Sequence, residues 1–98
     1  MIYLDKKYLG IIQRILQGWV PNCEVWAFGS RVHRRGLKPF SDLDLVVITK
    51  EPLELSDYGR IKESFSESDL PIRVDIADWS QLSDSFKEII RKEHERIQ

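Results

Sequence analysis

"FGSRVHRRGLKPFSDLDLVV", residues 28–47, decides how this chain is read. Its end, "DLDLVVI" at 42–48, has the apolar run of a strand, yet it carries Asp42 and Asp44. Aspartate is among the poorest strand formers. Alternation places Leu43, Leu45 and Val47 on one face and both acids on the other. Two carboxylates on one face repel each other unless something positive lies between them. Just upstream, Gly29-Ser30 predicts a tight turn that opens a short helical turn, and Arg31, Arg34, Arg35 and Lys38 add basic charge.

Outward from this stretch, the remaining elements follow from periodicity. Residues 24–28, "EVWAF", read as a strand, and "GLKPF" at 36–40 reads as loop. Residues 5–19 read as a helix capped by Asp5, with Leu9, Ile12, Leu16 and Trp19 at helical spacing and "VPN" as its stop. A second long helix is expected from a Ser56 cap to about Glu67, with Tyr58, Ile61 and Phe65 on one face. "IRVDIAD", 72–78, reads as a third strand, and residues 83–95 as a last helix with Phe86, Ile89 and Ile90 inward. The expected fold is α/β (α+β), a small mixed β-sheet with helices packed on one face.

In the third strand Ile72, Val74 and Ile76 share one face, and Arg73, Asp75 and Ala77 the other. If both strands turn their apolar faces to the helices and lie side by side, Asp42, Asp44 and Asp75 converge. Carboxylates a few ångströms apart cost about a kcal/mol or more at intermediate dielectric. A divalent cation reverses that sign, and carboxylate oxygens suit Mg2+, which keeps sites for water and substrate phosphates. Two such ions sharing carboxylates stabilise both the attacking and the leaving oxygen of a phosphoryl-type displacement. Gly29 lets backbone N–H groups approach a phosphate, and Ser30 adds a hydroxyl donor. Each element also has an ordinary reading: a plain turn, a solvated strand end, an exposed basic loop, and an Asp75 that pairs with Arg73.

The 98 residues suffice for one domain, 1–98, burying about 60–70% of the surface of the unfolded chain. Net charge is −1, with 42% hydrophobic and 32% charged residues, so nucleic acid is not expected as a direct partner. The single Cys23 excludes an internal disulfide, and neither a signal peptide nor a membrane span is visible, so the cytoplasm is the expected location. His33 and His94 lack zinc-ligand spacing; His94 reads as a surface residue, and His33 reads as solvent-exposed, with contact to a phosphate or acceptor as the alternative. Trp26 and Trp79 read as packing residues, and "RKEHERIQ" as a solvated helix end.

"FGSR" followed by "SDLDLVV" resembles the signature of the polymerase-β-like nucleotidyltransferase superfamily, and above all its minimal nucleotidyltransferases; "LPIRVDIADW", 70–79, is similar to that family's third-carboxylate segment. The resemblance implies a polymerase-β-like fold and transfer of a nucleoside monophosphate, typically AMP from ATP, with pyrophosphate leaving. It implies that Gly29, Ser30, Arg31 and Ser41 hold the nucleotide, while Asp42, Asp44 and Asp75 are catalytic and bind two Mg2+ ions. Members of this family are often encoded beside a helical HEPN-domain toxin, and in such pairs they act as antitoxins, in some cases by adenylylating a tyrosine of that toxin. Such a chain leaves no segment for an acceptor pocket, so the acceptor surface is expected from the partner; an oligomer is compatible with this. Family members often carry Gly a few residues after Gly-Ser, where this chain has Arg34, with Gly36 two residues later. Two other classes stay open. One is a non-catalytic antitoxin that neutralises its partner by contact. The other is an RNA-binding domain resting only on residues 31–38.

Overall fold

The computed structural model describes residues 2–98, so Met1 of the expected 1–98 domain lies outside it. Helix α1 (Lys6–Trp19) starts at Asp5, whose carboxylate accepts the Lys7 N–H at 2.9 Å. It leads to strand β1 (Glu24–Phe28), the single helical turn α2 (Ser30–His33) and strand β2 (Leu43–Ile48). Helix α3 (Leu55–Ser66) makes the crossover that a parallel pair requires and delivers strand β3 (Val74–Asp78). A 3-10 turn (Trp79–Gln81), helix α4 (Asp84–Lys92) and strand β4 (Glu95–Arg96) complete the chain. Among the described residues the sheet has the order β3-β2-β1-β4, with β2–β3 parallel and the other pairs antiparallel. This is the mixed α/β fold that the periodicity predicts.

One face of the sheet carries the main core. Val25 and Ala27 of β1, Leu43, Leu45 and Val47 of β2, and Ile76 of β3 pack with Ile12 and Leu16 of α1 and Ile61 and Phe65 of α3. At about 1.5–3 kcal/mol for each fully buried aliphatic side chain, this layer supplies most of the drive to fold. Cys23 lies half-buried at its margin as a free thiol.

The second face departs from expectation. Helix α4 does not join α1 and α3; it lies against the opposite face, where Phe86 meets Phe28 edge-to-face at 5.8 Å. Trp26 packs edge-on against Trp79 at 5.4 Å and stacks on His94 at 3.9 Å. Val46, beside Trp26 in the ladder, and Ile90 are both buried. Helices therefore cover both faces of the sheet. Ile90 points inward, but Ile89 is 65% exposed, and His94 is half-buried rather than a surface residue.

Several boundaries also shift: β2 begins at Leu43 rather than Asp42, and β3 at Val74, two residues after the expected Ile72. Ser56 does not cap α3; Glu54 stands at that position and Ser56 lies in the first turn. Helix α4 ends at Lys92, three residues short of the expected 95, with Ser83 as its cap. The tail is no solvated helix end: β4 pairs with β1, Ile97 is buried, and the Gln98 amide donates to the Val20 and Cys23 carbonyls at 2.8 and 3.0 Å.

Asp78 ends β3 on the apolar face and is buried. Its carboxylate accepts the Thr49 hydroxyl, the Leu53 N–H at 2.7 Å, and the Ser80 N–H and hydroxyl at 3.0 and 2.8 Å. Burial alone would raise its pKa, but these hydrogen bonds outweigh burial and hold it below the ordinary carboxylate value. A lowered folded-state pKa stabilises the fold above the unfolded value, about 3.9, and that stability is lost as pH falls through the folded pKa. Asp78→Asn is expected to lose about 1–3 kcal/mol at pH 7, because the knot loses its charge and part of its bonding. The gap from wild type should narrow near pH 3, as urea unfolding at both pH values will show.

Candidate active site

The site forms where the carboxyl end of β1 meets the amino ends of β2 and β3. Asp44 stands directly across from Asp75 in the parallel β2–β3 ladder, and Phe28 flanks it on the other side. In-register neighbours project from the same face, so Asp44 and Asp75 share one face of the sheet. Asp42, exposed, immediately precedes β2. Burial, then the negative charges of Asp75 and Asp42, push the Asp44 carboxyl above the ordinary value, while His33 acts in the opposite direction. Asp75 and Asp42 therefore both act electrostatically on Asp44.

Gly29 forms the roof over Asp44. Its φ of 79° and ψ of −160° belong to a region that glycine alone occupies readily. A β-carbon there would fall on Asp44 Oδ2, far inside contact distance, and 3.3 Å from Cγ. Ser30 opens α2 beneath Gly29, and the Val32 and His33 N–H groups donate to the Gly29 carbonyl at 2.9 and 3.0 Å. His33 lies one helical turn from Ser30, half-buried, where its Nδ1 accepts the Arg35 N–H at 3.0 Å. The sequence favours solvent exposure for His33, whereas the structure half-buries it.

Arg31 is not placed as a surface cation. Its side chain is buried and turns away into the loop, donating from Nε to the Ser41 carbonyl at 2.9 Å, from Nη1 to Tyr3 at 3.0 Å and from Nη2 to Pro39 at 3.0 Å. Its contacts are those of a clamp that fixes the loop leading into Asp42. Ser41 belongs to the same clamp, its hydroxyl accepting the Lys38 N–H at 2.9 Å. Arg35 is held by Glu93 of the segment after α4, at 2.6 Å.

Arg34 explains the glycine missing from the loop. It ends α2 at φ 67° and ψ 1°, and among the described residues no other non-glycine residue has a positive φ. That conformation costs an L-residue about 1–2 kcal/mol, partly offset by its guanidinium lying over the Tyr3 ring at 5.2 Å. Arg34→Gly is expected to stabilise the protein by about 0.5 kcal/mol, while Arg34→Val should lose about 1 kcal/mol or more. Opposite signs in urea unfolding are the check.

The donors fit a hard divalent cation in kind: two opposed carboxylates, a third nearby, and a cradle that only glycine leaves open. They are not gathered, however. Among the described residues, no three His, Cys, Asp or Glu side chains are close enough to hold a metal ion. Asp75 Oδ1 is instead paired with Arg73 Nε at 3.2 Å. Asp75 and Arg73 also line a cleft of about 330 Å³ together with Lys62, Phe65, Ser66 and Leu70. Two larger clefts of about 460 Å³, one over Arg31 and one between α3 and the 3-10 turn, lie apart from the acids.

Comparison with known proteins adds the family. Residues 12–98 match the family described as polymerase beta, nucleotidyltransferase. The chain belongs to this nucleotidyltransferase family. It is 54% identical over 95 residues to a probable protein adenylyltransferase MntA of Haemophilus influenzae, covering 97% of this chain and 82% of that protein. It is an enzyme of the nucleotidyltransferase class. The fold superposes on a toxin–antitoxin crystallised with AMP-PNP, at a TM-score of 0.75 and 19% identity over 92% of this chain and 72% of the other. It also superposes on the complex of a tri-AMPylated Shewanella oneidensis HEPN toxin with its MNT antitoxin, at a TM-score of 0.70 and 16% identity, over 97% and 72% of the two chains. Among the described residues, no helix is long and apolar enough to cross a membrane.

Proposed function

We propose that this nucleotidyltransferase is a cytoplasmic antitoxin that transfers AMP from ATP to a tyrosine hydroxyl of a helical HEPN-domain toxin. The observation that carries this reading is the opposition of Asp44 and Asp75 beneath the Gly29 roof. The 54% identity to a probable protein adenylyltransferase supports the choice of AMP and of a protein acceptor.

In this reading Gly29 and Ser30 cradle the triphosphate, with backbone N–H groups and the serine hydroxyl as donors. Arg31 and Ser41 act from behind by fixing the loop before Asp42. Asp42, Asp44 and Asp75 would hold two Mg2+ ions, which when bound stabilise charge on the attacking and leaving oxygens. Asp75, half-exposed beside the cleft, takes the proton of the acceptor hydroxyl. The acceptor oxygen forms a bond to the α-phosphorus, the bond from that phosphorus to the α–β bridging oxygen breaks, and pyrophosphate leaves. The phosphodiester product is a tyrosyl-AMP.

The contact-only antitoxin has one observation in its favour, the ungathered state of the three acids. One experiment separates the two. The protein and a candidate HEPN-domain partner are incubated with ATP and Mg2+, and the partner's intact mass is measured. A gain of whole AMP units that disappears with Asp44→Asn is the expected result. A stable complex with no mass gain, and neutralisation that survives Asp44→Asn, would establish the contact reading.

A further inference from the structure

We propose that Arg73 is an internal counter-ion that competes with a divalent cation for Asp75, so that the third carboxylate joins the site only when Arg73 releases it. The inference rests on the metal-ligand reading of the three acids given above. The Arg73 carbonyl accepts the Leu43 N–H at 2.9 Å, which extends the parallel ladder one residue before β3 and fixes the backbone there. Two residues apart on an extended chain, Arg73 and Asp75 project from the same face. Their side chains meet at 3.2 Å while 76% and 45% exposed. Among the described residues, Asp75 alone of the three acids forms an ion pair.

Charge decides between the two competitors. A guanidinium carries a single positive charge and engages Asp75 by itself. A divalent ion carries twice that charge and draws oxygens from several carboxylates at once. An exposed ion pair is also weak enough to exchange. Arg73 is therefore a suitable placeholder. It relieves the repulsion between Asp75 and Asp44 in the empty site, and it yields when an ion binds all three acids. The cost of displacing it weakens cation binding to the free protein.

The test titrates Mn2+ alone into the metal-stripped full chain and follows free Mn2+ by electron paramagnetic resonance. Arg73→Gln should bind Mn2+ about three- to tenfold more tightly than wild type. Arg73→Lys, which keeps the charge, should stay near wild type. The gain from Arg73→Gln should vanish in the Asp75→Asn background, since the two residues act as a pair. Unchanged or weaker binding by Arg73→Gln overturns the proposal, whatever its effect on stability, because a purely structural ion pair leaves the Mn2+ affinity alone. Wild-type binding that Asp44→Asn leaves intact places Mn2+ elsewhere. That result, like a lack of any binding, overturns the metal-ligand reading and this inference with it. Normal Asp44-dependent binding that is insensitive to Arg73→Gln overturns this inference alone.

Discussion

Asp44→Asn is expected to reduce AMP transfer by about three orders of magnitude or more, while leaving the metal-free protein at least as stable as wild type. The loss follows from the proposed role of Asp44 as the central, metal-holding carboxylate of the site. Preorganised electrostatic groups in such sites are commonly worth a factor of about 100–1,000 each, and a shared metal ligand stands at the upper end. The gain in stability has a separate cause. Burial and the neighbouring Asp75 and Asp42 charges raise the folded-state pKa of Asp44. A raised carboxyl pKa means that the ionised form burdens the fold: the group's favourable contribution is complete below the unfolded value, about 3.9, and is lost as pH rises through the folded pKa. A neutral amide of the same shape carries no such burden. In EDTA the Asp44→Asn protein should therefore melt at or above the wild-type temperature at pH 7, with the difference closing near pH 4. A variant that melts well below wild type at pH 7 would show that Asp44 supports the fold rather than burdening it.

Gly29→Ala should damage stability and activity together. The backbone at φ 79° and ψ −160° costs an alanine about 1–3 kcal/mol. The added methyl must also displace the Asp44 carboxylate, on which it would otherwise fall. A total loss of about 3 kcal/mol, with transfer near background, is expected from urea unfolding and labelled-ATP assays. Gly36 is the control. Its φ is 69°, but a β-carbon there would meet nothing within 4 Å. Gly36→Ala should lose only about 1 kcal/mol and keep its transfer activity. Equal effects at the two positions would mean that backbone strain, and not the contact with Asp44, governs the loop.

The parts of this protein that were legible in the sequence are those set by local rules. Alternation in "DLDLVVI" and "IRVDIAD" placed Asp44 and Asp75 on one face, and the helical turn after Gly29 was readable from Gly-Ser alone. What escaped depends on distant partners. Nothing near Arg31 announces that its guanidinium will meet carbonyls of residues 3, 39 and 41. The tail "HERIQ" continues the helical rhythm of α4, but stacking of His94 on Trp26 and the open edge of β1 draw it into the sheet. Helix α4 was assigned to the wrong face because its apolar stripe fits either one, and only the Trp26–Phe28 surface decides between them. Asp78 could have been found, since its parity places it among Ile72, Val74 and Ile76, where a bare carboxylate would not be tolerated.

The parallel pairing of β2 with β3 sets a gauge. Asp44 and Asp75 spring from neighbouring strands at the same level, so their α-carbons are held about 4.8 Å apart by the backbone ladder itself. That interval is a property of the peptide group in a parallel pair, and it owes little to the identity of the side chains behind it. A core residue such as Leu45 or Ile61 can be exchanged for another of similar volume, and the two acids keep their separation as long as the ladder survives. The spacing of Asp44 and Asp75 is therefore set by the main chain, and only the placing of their neighbours, the Gly29 roof and the Arg31 clamp, is left to particular side chains.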